Sequence, residues 1–506
     1  MRRRALLAAA AALACVPAAA GASEAPVAVT VQAQAGQAAH VRAALGRTAL
    51  RVQRVRGRTL QVVAAPGRVA ALRRLPGVAA AGVAPSAFED ETAVTSEGLF
   101  RTGAAAVVPA ANGGEGLVIA ILDLGFGNNI ETLRAKNELP PAERTETRSF
   151  DTVNGLPGRN AYGNATNHGE LVAQTVFDYA PKATYVFVNY RTPEDFVTAV
   201  DFLIARRPDI VVHSNNFIEG PFDGTGPAAQ AVDRAAAAGL LWFNSAGNYA
   251  QRHWAGPWAD AEGDGLLDFA GAERGLFYQG AGKPITFAVS WVQRPSGPRT
   301  DLDIALERRN DDGSWTAVAT STDRQSSGAA PAERITGYLP PADGFFRLAV
   351  RLVSGPPPAG DVTVFSREVD IPLVLGGSAE SSVPTPGDAA GGISVGAVDW
   401  RGDRLKSYSS HGPTADRRQK PDMVAPTDTS LAGPNGPRLV GGTSNAAPNA
   451  AGAAAVIIAS MRATGVNPTA ADVRSLLLRD AVDLGDPART TPTARDAPAS
   501  TSSRRW

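Results

Sequence analysis

Four apolar runs, Gly116 to Leu122, Ala183 to Val188, Asp209 to Val212 and Leu240 to Phe243, alternate with helical patterns at Glu170 to Phe177, Pro193 to Ala205 and Ala228 to Ala238. A continuous apolar run offers no polar face to water. Such strands must therefore be covered on both sides, and helices acting as crossovers provide that cover. The alternation predicts an α/β fold built on a doubly wound parallel sheet. It breaks off after Asn248 and resumes with a strand at Gly392 to Val398, a second in KPDMVAP, a long helix beginning near Ser444, and another helix from Ala470 to Leu478.

The interruption has its own pattern. Short period-2 segments such as Ile285 to Trp291, Asp301 to Glu307 and Phe346 to Leu352 are divided by turns rich in Pro, Gly and Asp, which predicts an inserted all-β sandwich. Near the N-terminus, strand patterns at Val27 to Gln32, Leu50 to Val55, Thr59 to Val63 and Val78 to Val83 flank helical ones at Ala38 to Leu45 and Arg68 to Leu75. That βαββαβ order predicts a small α+β domain. Residues from about Glu91 to Gly114 show no clear periodicity and are expected to connect it to the larger sheet. Beyond Gly485 the chain turns polar and rich in Pro, Ala and Ser, the composition of a disordered tail.

Composition narrows the partners. The 506 residues balance 49 Lys and Arg against 49 Asp and Glu, so no basic field draws the chain to nucleic acid or anionic lipid. The first residues, Met1-Arg2-Arg3-Arg4, precede an apolar run from Ala5 to Ala14 and then small residues, the order of an export signal. The run is shorter than the ~18 residues a membrane-spanning helix needs, and no later stretch reaches that length. Secretion, or another extracytoplasmic location, is the expectation. Cys15 is the sole cysteine, so there is no disulfide framework; Ala12-Leu13-Ala14-Cys15 is a loose lipid-anchor pattern and the weaker alternative.

Three residues carry candidate chemistry. Asp123 ends an apolar strand in VIAILDLGFG, on the crevice side where open α/β sheets place their sites. His168, in NHGELVA, precedes a helix; an imidazole near its usual pKa can accept and return a proton around neutrality. Ser444, in GGTSNAAPNAAG, stands at the start of the long Ala-rich helix, where unpaired N–H groups and the positive dipole end would face a reacting carbonyl. A serine hydroxyl needs an adjacent base and a stabilised oxyanion to act as a nucleophile. Taken singly, each motif also reads as a turn former, a surface histidine or a helix cap. Their conjunction carries the weight.

The order Asp, His, Ser is that of subtilisin and differs from chymotrypsin and the α/β-hydrolases. With these motifs the chain resembles a subtilisin-like serine peptidase, a subtilase. The resemblance implies that Asp123 orients His168, that His168 activates Ser444, and that Asn248 in FNSAGNYA donates to the oxyanion. It also implies that Ser214 and Asn215, in HSNNF, line the substrate cleft. The βαββαβ unit, with ALRRLPGVAAAGVAP, is similar to the family's inhibitory propeptide. The expected division is a signal at 1–22, a propeptide-like domain and connector at 23–95, catalytic parts at 96–256 and 378–485, the β insertion at 257–377, and the tail at 486–506. Leu124, Glu170, Asn216, Asn445 and Asn449 depart from the family pattern.

DAEGDGLLD, with Asp260, Glu262, Asp264 and Asp268, has some of the spacing of a calcium loop. Twelve places from its start stands Gly271, not the bidentate acid such a loop requires. It reads as a solvated acidic turn. No cofactor is required, and calcium is left without support. The function implied is a secreted serine endopeptidase acting on protein or peptide substrates, with its own N-terminal domain as a partner. The alternative is a non-catalytic pseudopeptidase or surface binding module that uses the cleft and the β insertion.

Overall fold

The computed structural model describes residues 27–48, 50–83, 94–269, 275–293, 296–325, 330–370, 375–377, 379–433, 436–484 and 504–505. The expected export signal with Cys15 lies outside these residues, as does the expected tail apart from Arg504 and Arg505. The chain divides into two units, residues 1–90 and 91–506.

In the first unit β1 (Val27–Ala33), α1 (Ala38–Gly46), β2 (Val52–Arg56), β3 (Thr59–Ala64), α2 (Val69–Arg73) and β4 (Val78–Val83) follow in the expected order. The four strands make one antiparallel sheet, ordered β2-β3-β1-β4. Alternate residues of β3, such as Leu60 and Val62, turn inward with Val29 and Val31 to meet Val41, Leu45 and Leu72 of the helices. One face is thus core and the other is solvated, the usual result of period-2 patterning in an antiparallel sheet.

The second unit opens with α3 (Glu97–Arg101), whose N-cap Ser96 accepts a hydrogen bond from the Gly98 N–H at 3.2 Å. Then come β5 (Val118–Asp123), α4 (Ile130–Ala135), β6 (Thr145–Ser149), α5 (His168–Phe177), β7 (Thr184–Asn189), α6 (Pro193–Arg206), β8 (Ile210–His213), α7 (Pro227–Ala237) and β9 (Leu241–Ser245). After an insertion the α/β pattern resumes. Capping is explicit at α6: Thr192 and Asp195 exchange side-chain and backbone hydrogen bonds, and Pro193 occupies the first turn, where its missing N–H costs nothing. Phe196, Ala199, Val200 and Leu203 then bury one stripe of that helix.

The insertion contains β10 (His253–Gly256), β11 (Phe277–Gln279), β12 (Ile285–Trp291), β13 (Asp301–Arg309), β14 (Trp315–Ser321), β15 (Ala332–Tyr338), β16 (Gly344–Ser354) and β17 (Val362–Ser366). They form two antiparallel sheets, β10-β17-β12-β15 and β11-β16-β13-β14. Phe287, Ile304, Phe346 and Val364 belong to the core between them. Phe365 turns the other way, its ring 5.3 Å from that of Tyr249 and 5.1 Å from that of Phe222. An aromatic cluster and the Arg334–Glu219 ion pair (2.7 Å) therefore fix the sandwich to the α/β unit.

Strands β18 (Ile393–Asp399) and β19 (Met423–Thr427), the hairpin β20 (Thr429–Gly433) and β21 (Gly436–Val440), and helices α8 (Thr443–Ala463) and α9 (Ala470–Asp480) complete the unit. Seven parallel strands run in the order β19-β18-β9-β8-β5-β7-β6. Two-residue strands Val482–Asp483 and Arg504–Arg505 lie beyond β19. One face of the sheet packs α5 and α8 through Ile119, Ile121, Phe187 and Val212. The opposite face packs α6 and α7 through Leu122, Val186, Val188 and Trp242. The chain moves to one side of β5 for β6 and β7 and to the other for β8 and beyond. The switch point, and the crevice that goes with it, lies at the carboxyl ends of β5 and β8. No described helix is long and apolar enough to cross a membrane.

Candidate functional site

Asp123 is the last residue of β5 and is fully buried. One carboxylate oxygen accepts from the Leu124 N–H at 2.8 Å, and the other lies 2.8 Å from His168 Nδ1. A carboxylate so placed selects the tautomer with the proton on Nδ1, which leaves Nε2 free to accept another. His168 is the first residue of α5, and its side chain remains 30% exposed. Burial of the ring opposes its positive form, but the charge and hydrogen bond of Asp123 outweigh burial and raise its pKa above the usual 6.5.

Ser444 stands in the first turn of α8. The preceding Gly442 has φ 91° and ψ 163°, a conformation open to glycine and strained for any other residue. Its carbonyl accepts from Thr427 Oγ1 at 2.9 Å and its N–H donates to the Tyr408 hydroxyl at 2.9 Å. The loop that presents the serine is therefore held on both sides. In this structure Ser444 Oγ donates to the Ser214 carbonyl at 3.0 Å, not to the His168 ring. Carboxylate and imidazole are in contact; the hydroxyl points to the neighbouring strand end. Catalytic hydrogen bonds often tighten only when substrate is bound.

Asn248 follows β9. Its Oδ1 accepts from both the N–H (2.9 Å) and the hydroxyl (3.0 Å) of Thr443, and that hydroxyl accepts in turn from the Gly247 N–H at 3.1 Å. With the oxygen end engaged, the amide NH₂ is the end left to donate. It stands beside Gly442, where a Cβ would come within 3.2 Å of Nδ2. The Ser444 N–H lies 3.7 Å from the same Cβ position, so one side-chain donor and one main-chain donor flank a common locus, the arrangement an oxyanion requires.

Ser214 is buried just past β8, and half-buried Asn215 follows it. Asn215 Nδ2 is shielded from solvent without a partner among the described residues. The side chain of Asn216 lies 3.1 Å from Ser245 Oγ and 3.3 Å from the Asn244 amide.

Several functional neighbours were not evident from the sequence. Thr443, Thr427 and Tyr408 orient the asparagine and the serine loop, yet only Thr443 belongs to a motif that could have drawn notice. His213, fully buried on β8, lies within 2.6 Å of Asn244 Oδ1 through Nδ1 and 2.8 Å of the Tyr190 hydroxyl through Nε2. An amide oxygen can only accept, so Nδ1 carries the proton and Tyr190 donates to Nε2. Burial pushes this histidine down to about 4, so it is neutral behind the site.

The acidic turn at 260–268 folds its carboxylates onto its own backbone. Asp260 accepts from the N–H groups of Asp264 and Gly265 (both 3.0 Å), and Asp268 accepts from that of Ala261 at 2.7 Å. Among the described residues no group of three or more His, Cys, Asp or Glu could hold a metal ion.

The model of the Subtilase family matches residues 359–495, the stretch containing Ser444. Among solved structures the chain is similar to the Clostridium perfringens CspB protease, at 17% identity over 81% of this chain and 96% of that one, with a TM-score of 0.54. That is a likeness of fold. The self-cleaved protease domain of PatA (15% identity, 72% and 88% covered, TM-score 0.38) and the prenylagaramide maturation protease PagA (13%, 75% and 88%, 0.41) also match. A match to the subtilase family model over the serine-bearing segment thus stands beside a likeness of fold to the CspB protease.

Proposed function

We propose that the protein is a secreted serine endopeptidase. In this reading Ser444 Oγ attacks a peptide carbonyl while its proton passes to His168 Nε2. The tetrahedral oxyanion rests on the Asn248 amide and the Ser444 N–H. As the C–N bond breaks, the imidazolium returns the proton to the leaving amine and an acyl-enzyme remains. Water, activated by the same imidazole, then releases the acid and restores the serine. Asp123 holds the ring and favours its positive form between these steps. The chemistry draws on side chains and backbone alone, so no cofactor enters the proposal.

One observation supports this reading most directly: the Asp123–His168 contact of 2.8 Å at the switch point of the sheet. The amide orientation that Thr443 imposes on Asn248 supports it further. The basic and apolar N-terminal sequence supports secretion, and the βαββαβ unit supports a propeptide partner that restrains the enzyme before it is cut away. Ser214 and Asn215 would border the peptide being cleaved.

A fluorophosphonate probe tests the assignment. It is expected to label the wild-type protein and not Ser444→Ala; equal labelling of both removes Ser444 from the role. The Ser444 hydroxyl bonded to the Ser214 carbonyl favours a second reading, in which the cleft binds without cutting. A folded, processed wild type that takes up no probe and cleaves no casein would favour that alternative.

A further inference from the structure

Helices α5 and α8 carry His168 and Ser444 in their first turns, and a buried polar ladder joins the start of α8 to the last turn of α5 and the turn just past it. Asn445, directly after Ser444, donates through Nδ2 to Thr175 Oγ1 at 3.2 Å and accepts at Oδ1 from Thr429 Oγ1 at 2.9 Å. Asn449 accepts at Oδ1 from the Tyr179 hydroxyl at 2.8 Å. Its Nδ2 donates to the Asn445 carbonyl at 2.9 Å and to the Pro426 carbonyl at 3.2 Å. Asn445 to Asn449 spans about one turn of α8, or ~6 Å; Thr175 lies in α5 and Tyr179 two residues past its end. The rungs therefore follow one another in the same chain direction on both sides.

The ladder is dry: Thr175, Tyr179 and Asn449 are 0% exposed, and Asn445 is 1% exposed. The Tyr179 ring lies so close to α8 that a Cβ on Gly452 would stand 2.4 Å from it. Small apolar residues, Ala446, Ala447, Ala450 and Ala451, already bury the same stretch of α8. Apolar packing is non-directional and would tolerate a slide of one helix along the other. A buried amide is costly unless its bonds are made, and those bonds exist in a single register. The amides thus add little adhesion that alanine could not supply. What they add is a fixed longitudinal offset between the helix that begins at His168 and the helix that begins beside Ser444.

We infer that Asn445 and Asn449 are positioning residues: through Thr175 and Tyr179 they set the distance between the Ser444 hydroxyl and the His168 imidazole. This rests on the reading of those two residues as nucleophile and base. Neither asparagine touches substrate.

The test uses the full chain and separates rate from yield. Fluorophosphonate labelling gives a rate constant and a final stoichiometry, and a peptide substrate gives kcat and KM. Thr175→Val and Tyr179→Phe each remove one hydroxyl at nearly constant volume. Each is expected to slow labelling and kcat by roughly 10- to 100-fold, the scale of a sub-ångström to 1 Å misplacement. KM should stay within about twofold and labelling should still reach full stoichiometry. Thr175→Ser keeps the hydroxyl and should label at the wild-type rate. The inference is overturned if Thr175→Val and Tyr179→Phe label as fast as wild type. It is equally overturned if only the stoichiometry falls, or if Thr175→Ser is as slow as Thr175→Val. A wild type that takes up no label overturns the catalytic reading and, with it, this inference.

Discussion

Ser214 and Ser444 are tied to each other in both directions. The Ser444 hydroxyl donates to the Ser214 carbonyl at 3.0 Å, and the Ser214 hydroxyl donates to the Ser444 carbonyl at 3.2 Å. The second bond has a cause in the sequence. Within a helix the Ser444 carbonyl would accept from the residue four places on, but that residue is Pro448, which has no N–H. Ser214, from the end of β8, supplies the missing donor.

Ser214→Ala removes that donor and leaves the other bond, which uses the main chain of residue 214. Loss of one such bond should cost about 1 kcal/mol of stability. The urea midpoint should fall while labelling of Ser444 by fluorophosphonate still reaches completion. An unchanged midpoint would mean that water or another group replaces the serine at no cost.

Asn248 should matter to rate far more than to binding. Its amide is already oriented by Thr443, so removing it takes away a donor that needs no reorganisation. Asn248→Ala should lower kcat by roughly 10²- to 10³-fold, the scale known for an oxyanion donor in a subtilisin, with KM little altered. A loss confined to KM would place Asn248 in ground-state binding instead.

Much of this was legible in the chain because long-period features survive in one dimension. The apolar runs ending at Asp123 and Phe243 revealed central strands, since strands buried on both faces need no alternation. Thr145–Ser149 escaped notice because an edge strand with half-exposed Thr, Glu and Arg has neither an apolar run nor a clean alternation. Glu97–Arg101 is too short to show a helical period. At the site, Asp123, His168 and Ser444 stood in motifs, whereas Thr175, Tyr179 and Tyr408 are ordinary residues in sequence. They acquire roles only through partners distant in the chain, and Asn445 and Asn449 could be flagged as departures without revealing what they bind.

The His168 shift sets two pH dependences of opposite sign. In the proposed mechanism the neutral imidazole is the active form, so kcat/KM should rise with pH along a limb whose midpoint lies above the usual 6.5. Stability runs the other way. A folded-state pKa above the unfolded one gives a contribution that is full below about 6.5 and is lost as pH rises through the folded value. Asp123→Asn removes the charge that raises the pKa. Its acid limb should move to lower pH, and its rate should fall by about 10³- to 10⁴-fold. A limb that stays in place in Asp123→Asn would show that another group governs it.

Glu170 presents a pH dependence in stability alone. It stands in the first turn of α5 and is 1% exposed. One carboxylate oxygen accepts from the Asn129 N–H at 3.0 Å, and the other is buried without a partner among the described residues. Burial raises its pKa above the usual 4.5, and the Asn129 hydrogen bond and the Arg438 charge only partly oppose that. The folded protein therefore holds this proton more tightly than the unfolded chain does. Such a group contributes stability below about 4.5 that is lost as pH rises through the folded value. Glu170→Gln keeps an acceptor for Asn129 and never ionises. The difference in melting temperature, variant minus wild type, should be small near pH 4 and should grow in favour of the variant towards neutrality. A difference that stays constant across that range would mean that Glu170 is as easily ionised in the folded protein as in the open chain.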